Sequence, residues 1–451
     1  MKMRYPTTLA ALATTALISF GSGAAFAAEY TIQVWAGGTD ADGMYRIDAI
    51  KIAAVLLEAE AEVRGEELNI TVEGKPWAGW PEFKQAVTLG AEAGTAPQII
   101  VSGHEDIAAW AQSGLIVPIE DYVDVDSWPI NDIFENLLEI SSFNGMLYGL
   151  PQDAESRPFF FWRDHMSAIG YSDAQIDALP GDIQSGAYTL ANVLEDAKAM
   201  QDAGLVEAGY GFYPRASNGP DYWQFYLSFG GAMEDGSGKL VFDKAAMTGF
   251  FQFFVDAVAS GVTKKNHLGM SWDQWYGEVA NGKAGIWHGG TWHYNRYTTK
   301  EGNDDFFGTI QFGLIPGGGA NGAANTITHP LVYLLTKQAD DDSTAIAAEL
   351  IKIASGPRIN ALHAIKSAHL GISNAETSVD LYSGDRWARE ATERLLPHAS
   401  AMPNNVNFGQ YWEIMFGGLE ASWTGQKSVA DAIADVETEL ATTLGDKIVM
   451  R

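Results

Sequence analysis

A chain of 451 residues with 57 acidic and 28 basic side chains carries a formal charge of −29, which repels nucleic acid and anionic lipid head groups and sets both aside as partners. Cysteine is absent, so structural disulfides, thiolate metal ligands and a cysteine nucleophile are excluded together. Apolar residues make up 47% of the chain, aromatics 12%, and 48 residues are Gly, which describes a globular α/β protein with many turns and enough length for two or three cores.

Residues 1–27 read as a secretory signal peptide, with Lys2 and Arg4, an apolar stretch over residues 9–20 and Ala-Phe-Ala ending at Ala27. The stretch is too short, and too interrupted by Thr and Ser, to span a membrane. Cleavage removes Lys2 and Arg4 and takes the charge from −29 to −31. With no cysteine to acylate, the mature protein is expected to be soluble in the periplasm of a Gram-negative cell.

The mature chain opens with TIQVWAGG, an alternating strand running into a glycine turn. Residues 41–63 follow as a helix with Met44, Ile47, Ile50, Ala54 and Leu57 on one face. NITVE is a second strand, residues 83–93 a helix, and QIIVS a third strand. Strand, helix, strand, helix, strand predicts a parallel sheet covered by helices on both faces, with ligands at the carboxyl ends of its strands. The loops after Trp35, Glu73 and Val101 would then share one rim. A second α/β lobe is expected from residue 164, with helices over 189–203, 221–231 and 244–260, a strand YGFYP and a hairpin-like MEDGSGKLVF. Residues 272–295 predict an amphipathic helix, a turn at Asn281-Gly282, a strand ending at Trp287, and an aromatic Gly-rich loop carrying His288, Gly290, Trp292 and His293. Residues 307–316 and 328–337 predict strands, residues 343–355 and 357–365 helices, and residues 152–156 and 313–316 are candidate hinges.

Several apparent motifs fail on context. Residues 277–283 spell GxxxxGK, but Ala284 stands where a phosphate loop needs Ser or Thr, and the segment ends a helix where such a loop begins one. Gly317, Gly319 and Gly322 match GxGxxG, yet Pro316 precedes them and a β-rich run follows. His288 and His293 lack a carboxylate at metal spacing, Asp40 and Asp42 make only a fragment of a calcium loop, and no GxSxG elbow follows residue 27. No metal and no cofactor is expected.

What remains is a set of aromatic and polar residues at loop positions of both lobes: Trp35, Asp40, Trp77, Trp80, His104, Glu105, Asp106, Asp153, Glu155, Trp223, Trp272, Trp292 and Trp412. Carboxylates accept paired hydrogen bonds from neighbouring hydroxyls and Trp covers an apolar ring face, so the mixture suits a neutral polyhydroxylated ligand. Tyr222, beside Trp223, joins the candidates. Trp292, after Gly289-Gly290 at a strand end, is expected to offer an exposed stacking ring. A glycosidase would need the same ingredients plus two facing carboxylates at fixed separation, so an enzyme stays open at this point.

Five stretches in order, GTAPQIIVSGHEDIAAWAQSGLIVPI, NGMLYGLPQDAE, VANGKAGIWHGGTW, FGLIPGG and MPNNVNFGQYWEIMFGGLEASWTGQKSVADAIADVETEL, resemble the family 1 extracellular solute-binding proteins of ABC importers. The resemblance implies a type II periplasmic binding protein of two α/β lobes, residues 28–153 with 314–371 and residues 154–313 with 372–451, closing by a hinge on a carbohydrate without catalysis. It implies a monomer that serves the transmembrane subunits of an ABC permease. It places Glu155 as a hinge-side acidic ligand, Trp292 and Trp412 as stacking aromatics, Trp272 as an aromatic contact, and His104, Glu105 and Asp106 in a loop that bonds sugar hydroxyls. Ser102 and Asp106 depart from the maltodextrin-binding members, which carry an aromatic and a basic residue there. A polyol or other small osmolyte is the alternative ligand class.

Overall fold

The computed structural model describes residues 28–38, 44–319 and 322–451. The signal peptide, Asp40 and the first residues of the helix expected over 41–63 lie outside the described residues.

One sheet takes the strands Leu68–Pro76, Ala28–Ala36, Ile99–Gly103, Leu331–Thr336 and Ile116–Val117 in that order, with Gly149–Pro151 also paired to Leu331–Thr336. The first three run parallel, as expected, while Leu331–Thr336 enters antiparallel. Ile99–Gly103 and Leu331–Thr336 are buried throughout, which explains why they read as continuous apolar runs. Successive side chains of Ile99–Gly103 serve opposite faces. Ile99 and Val101 join the core under helix Tyr45–Arg64 with Ile47 and Ile50, while Ile100 packs with Phe83 and Val87 of helix Trp80–Ala93. Register pairs Ala36 with both Pro76 and Val101, so the three parallel strands end on one rim.

The second sheet has the order Ile310–Gly313, Phe159–Trp162, Ile286–His288, Phe212–Tyr213. Phe159, Phe160 and Phe161 are fully buried in it among Phe212, Trp287 and Tyr188. Residues 221–231, expected as one helix, form a short 3₁₀ turn, Pro220–Tyr222, and then helix Trp223–Ser228. The segment MEDGSGKLVF makes its turn, with Glu234 bridged to Leu240, but Leu240–Phe242 then pairs in parallel with Ile448–Met450. After Ile286–His288 the expected loop is only four residues long before helix His293–Thr299 begins.

Three stretches connect the sheets side by side. The chain leaves the first sheet at Gly149–Pro151 and enters the second at Phe159–Trp162; it returns from Ile310–Gly313 by way of Thr326–Thr328 to Leu331–Thr336. Bridge Ser156–Thr328 zips these two crossings together, and bridge Ala154–Leu370 ties the first to a third at residues 367–373. Across the gap between the sheets, Asn295 Nδ2 donates to the Tyr45 hydroxyl at 3.1 Å.

Candidate ligand site

The rim of the first sheet gathers one group of expected residues. Trp35 and Trp77 lie 5.6 Å apart with Lys75 Nζ over both rings, at 4.9 and 4.0 Å. Trp80 is turned toward its own sheet: its ring fills the space a Cβ would need at Gly37 and Gly38, and it meets Phe83 edge-on. Gly38, at φ +66°, is a position where a side chain would be strained as well as crowded.

The loop after Ile99–Gly103 carries an ionic cluster. Lys84 Nζ sits 3.0 Å from Glu105 Oε1 and 2.7 Å from Asp106 Oδ1, and the Ser102 hydroxyl donates to Asp106 Oδ2 at 2.5 Å. His329 Nε2 lies 2.9 Å from Glu105 Oε2. Burial and then the neighbouring Glu105 raise the Asp106 carboxyl to about 6. Burial and the adjacent His329 lower His104 to about 4, so its imidazole is neutral, and Nε2, 3.0 Å from the Met402 carbonyl, carries the proton.

A second ionic cluster sits where the crossings meet. Glu155 and Arg157, two apart in an extended stretch, point the same way and pair at 2.6 Å. Arg157 Nη1 is 3.8 Å from Asp221 Oδ2, Arg215 Nε is 3.9 Å from the same oxygen, and His288 Nδ1 is 3.9 Å from Asp221 Oδ1. Burial opposes ionisation of Asp221, but Arg157 and Arg215 outweigh it and hold the carboxyl below its usual range. Burial, helped by the nearby Asp153 charge, pushes Glu155 up against the pull of Arg157. The neighbouring imidazoles stay neutral: burial lowers His288 and His369 to about 3.

Aromatic rings line these charges, and here several expectations change. Trp292 is half-buried and its ring is already engaged: the Arg157 guanidinium lies over it at 4.5 Å, His369 stacks at 5.9 Å and 18°, and Nε1 donates to the Tyr276 hydroxyl at 2.8 Å. Gly290 is glycine because the Trp292 ring lies where its Cβ would be. Tyr222 and Trp223 are core residues, fully buried, Trp223 against Phe408 and Tyr411, and Tyr222 against Phe254 and Phe416. Helix Trp223–Ser228 buries Phe225 against Phe250, Phe253 and Phe254 of Lys244–Ala259, so its large rings are spent on packing. Trp272 is 38% exposed, with Arg215 packed 3.9 Å beneath its ring. Trp412 is half-buried, its Nε1 donating to Asn218 Oδ1 in the loop that carries Arg215 and Asp221.

Asp153 lies deeper, fully buried, accepting from Leu331 N at 3.2 Å and 3.3 Å from His363 Nε2. Burial opposes its charge, but His369, His363 and Arg46 lower it to about 2. Donor atoms of Asp153, His363 and His369, and of His104, Glu105 and His329, fall within 4.8 Å of one another. Each carboxylate already faces a cation, Arg46 for Asp153 and Lys84 for Glu105.

The structure thus joins Glu155, Trp272 and Trp292 through residues that sequence reasoning passed over, namely Arg157, Arg215, Asp221 and His369. A signal existed for Arg157, whose two-residue spacing from Glu155 puts both on one side of a strand. None existed for Arg215 and Asp221, which meet only through the second sheet. A cavity of about 550 Å³ bounded by residues 139–142, 227–234 and 400–404 includes none of these groups, so chemistry marks the site where open volume does not.

Residues 60–390 match the family model described as bacterial extracellular solute-binding protein, and the chain belongs to that family. Among solved structures, the maltose-bound MalE3 of T. maritima is 18% identical over 92% of this chain and 100% of its own, with a TM-score of 0.74. The GacH receptor of Streptomyces glaucescens, solved unliganded and with acarbose, is 15% identical over 93% and 99%, with a TM-score of 0.73. An ABC transporter solute-binding protein of Thermotoga lettingae, bound to α-D-tagatose, is 17% identical over 92% and 100%, at 0.70. The fold is therefore that of the two-lobed binding proteins. No curated protein sequence matches the chain. Among the described residues no helix is long and apolar enough to cross a membrane.

Proposed function

We propose that this chain is the exported, periplasmic substrate-binding protein of an ABC importer, closing residues 28–153 with 314–371 and residues 154–313 with 372–451 over a sugar or polyol and handing it to the membrane permease. The observation that carries this reading is the buried group Glu155, Arg157, Asp221 and Arg215, walled by Trp292 and Trp272, at the meeting of the crossings in a solute-binding fold. Charged groups beside aromatic faces are the means by which a protein replaces the water of a polyhydroxylated molecule. Maltose and tagatose in the solved relatives agree with that chemistry.

A thermal-shift screen of sugars and polyols tests it, since a ligand at 100 times its Kd stabilises a protein by about 2.7 kcal/mol. One or more neutral compounds should raise the melting temperature while aryl glycosides and oligosaccharides remain unhydrolysed. Hydrolysis that disappears in Glu155→Gln would replace the receptor by an enzyme.

A further inference from the structure

The three ion-pair distances at Asp221 share a feature that a finished salt bridge lacks. At 3.8, 3.9 and 3.9 Å they are too long for direct hydrogen bonds. Arg157 Nε, Arg215 Nε, Asp221 Oδ1 and His288 Nδ1 are all buried without a hydrogen-bond partner. Asp221, Arg157 and Arg215 are 3%, 4% and 7% exposed, so bulk water does not satisfy them. Unmet polar atoms this deep are costly, and a carboxylate oxygen with three unmet donor-side nitrogens on the residues around it marks a place built to be completed by something that both donates and accepts.

The balance of charge says what kind of group completes it. Among the described residues the buried cations at the crossings are Arg46, Arg157 and Arg215, and the buried carboxylates are Asp153, Glu155 and Asp221, three of each, with the equally buried Glu376 held in its protonated form by burial. An added anion or cation would enter a low-dielectric space with no counter-charge left for it. A hydroxyl can accept from a guanidinium and donate to a carboxylate at once, spanning a gap that neither side closes alone.

We infer that Asp221, Arg157 and Arg215 are the specificity-determining centre of the site, read the hydroxyls of an uncharged polyhydroxylated ligand, and reject acidic sugars. This deepens the proposed function and rests on it. Arg157 and Asp221 take two hydroxyls of the ligand, and Arg215, held between Trp272 and Trp275 at 3.9 and 4.9 Å, fixes Asp221 from behind. Selectivity lies in charge, because a carboxylate or phosphate on the ligand would face Asp221.

The test uses the full mature protein and calorimetric titration with glucose, maltose, trehalose, mannitol and sorbitol, alongside glucuronate, galacturonate and glucose 6-phosphate. At least one neutral compound should bind, with each charged counterpart weaker by about a hundredfold or more, as expected for an unpaired buried charge. Asp221→Asn should keep the ligand-free melting temperature near that of the parent and weaken the neutral ligand at least tenfold. A charged compound that binds the parent protein as tightly as its neutral counterpart overturns the inference while leaving the receptor reading intact. Unchanged affinity in folded Asp221→Asn overturns it equally. Should that variant fail to fold, the comparison of neutral and charged compounds on the parent protein decides alone. If no compound binds the parent protein, the receptor reading itself fails, and the inference falls with it.

Discussion

Two tryptophans that look alike in sequence are assigned different work by their surroundings. Trp292 is packed against Arg157 and His369 and bonded to Tyr276, so its ring is part of the wall. Trp272 has Arg215 below and solvent above. Covering that outer face with a sugar removes roughly 100 Å² of apolar surface from water, worth about 2.5 kcal/mol at 25 cal/mol per Å². Trp272→Ala should therefore lose about fiftyfold in affinity and keep its ligand-free melting temperature. Trp292→Ala should lower that temperature as well, through loss of a packed ring worth about 3 kcal/mol. Melting curves and titrations of both variants check this, and a Trp292→Ala that melts like the parent would return its ring to the ligand. Glu155 and both Trp were candidates in the sequence. Which face each ring keeps free was not legible there, because Arg157 and His369 reach Trp292 from segments 135 and 77 residues away.

Elements were legible where a period was strong. The parallel strands announced themselves as apolar runs between helices, and Asn281-Gly282 closed its helix as expected. Short elements were missed where tertiary pairing decided them: helix His293–Thr299 has no apolar stripe of its own, and the partner of Leu240–Phe242 lies at the far end of the chain. The third crossing carries its own titratable group. Glu376, fully buried in the short helix Asn374–Thr377, accepts from Ile372 N at 2.8 Å, and burial raises its carboxyl to about 8. In the unfolded chain this acid titrates near 4.5, so between about 4.5 and 8 the folded state holds the extra proton, and stability falls as pH rises through that window. Glu376→Gln, neutral throughout, should flatten the fall and raise the melting temperature at pH 8 by about 3 °C or more. Melting curves from pH 5 to 8 report it. Parallel curves for variant and parent would show that Glu376 is ionised in the fold.

On the scale of the whole molecule, the three crossings are a bundle of extended chain between two sheets, an arrangement that would let each sheet keep its strand pairing while the angle between them changes. In the structure Asn295 is bonded to Tyr45 across the gap, and the unmet polar atoms around Asp221 are buried, as in a closed form. Sealing those atoms unsatisfied is unfavourable, so without a ligand the closed form should give way to an open one, and a ligand that satisfies them should restore it. Small-angle scattering of the protein with and without a ligand, at a concentration where titration shows full occupancy, tests the central claim most directly. A radius of gyration that shrinks on binding is the predicted result, and an identical scattering profile at proven saturation would contradict a receptor that closes on its sugar.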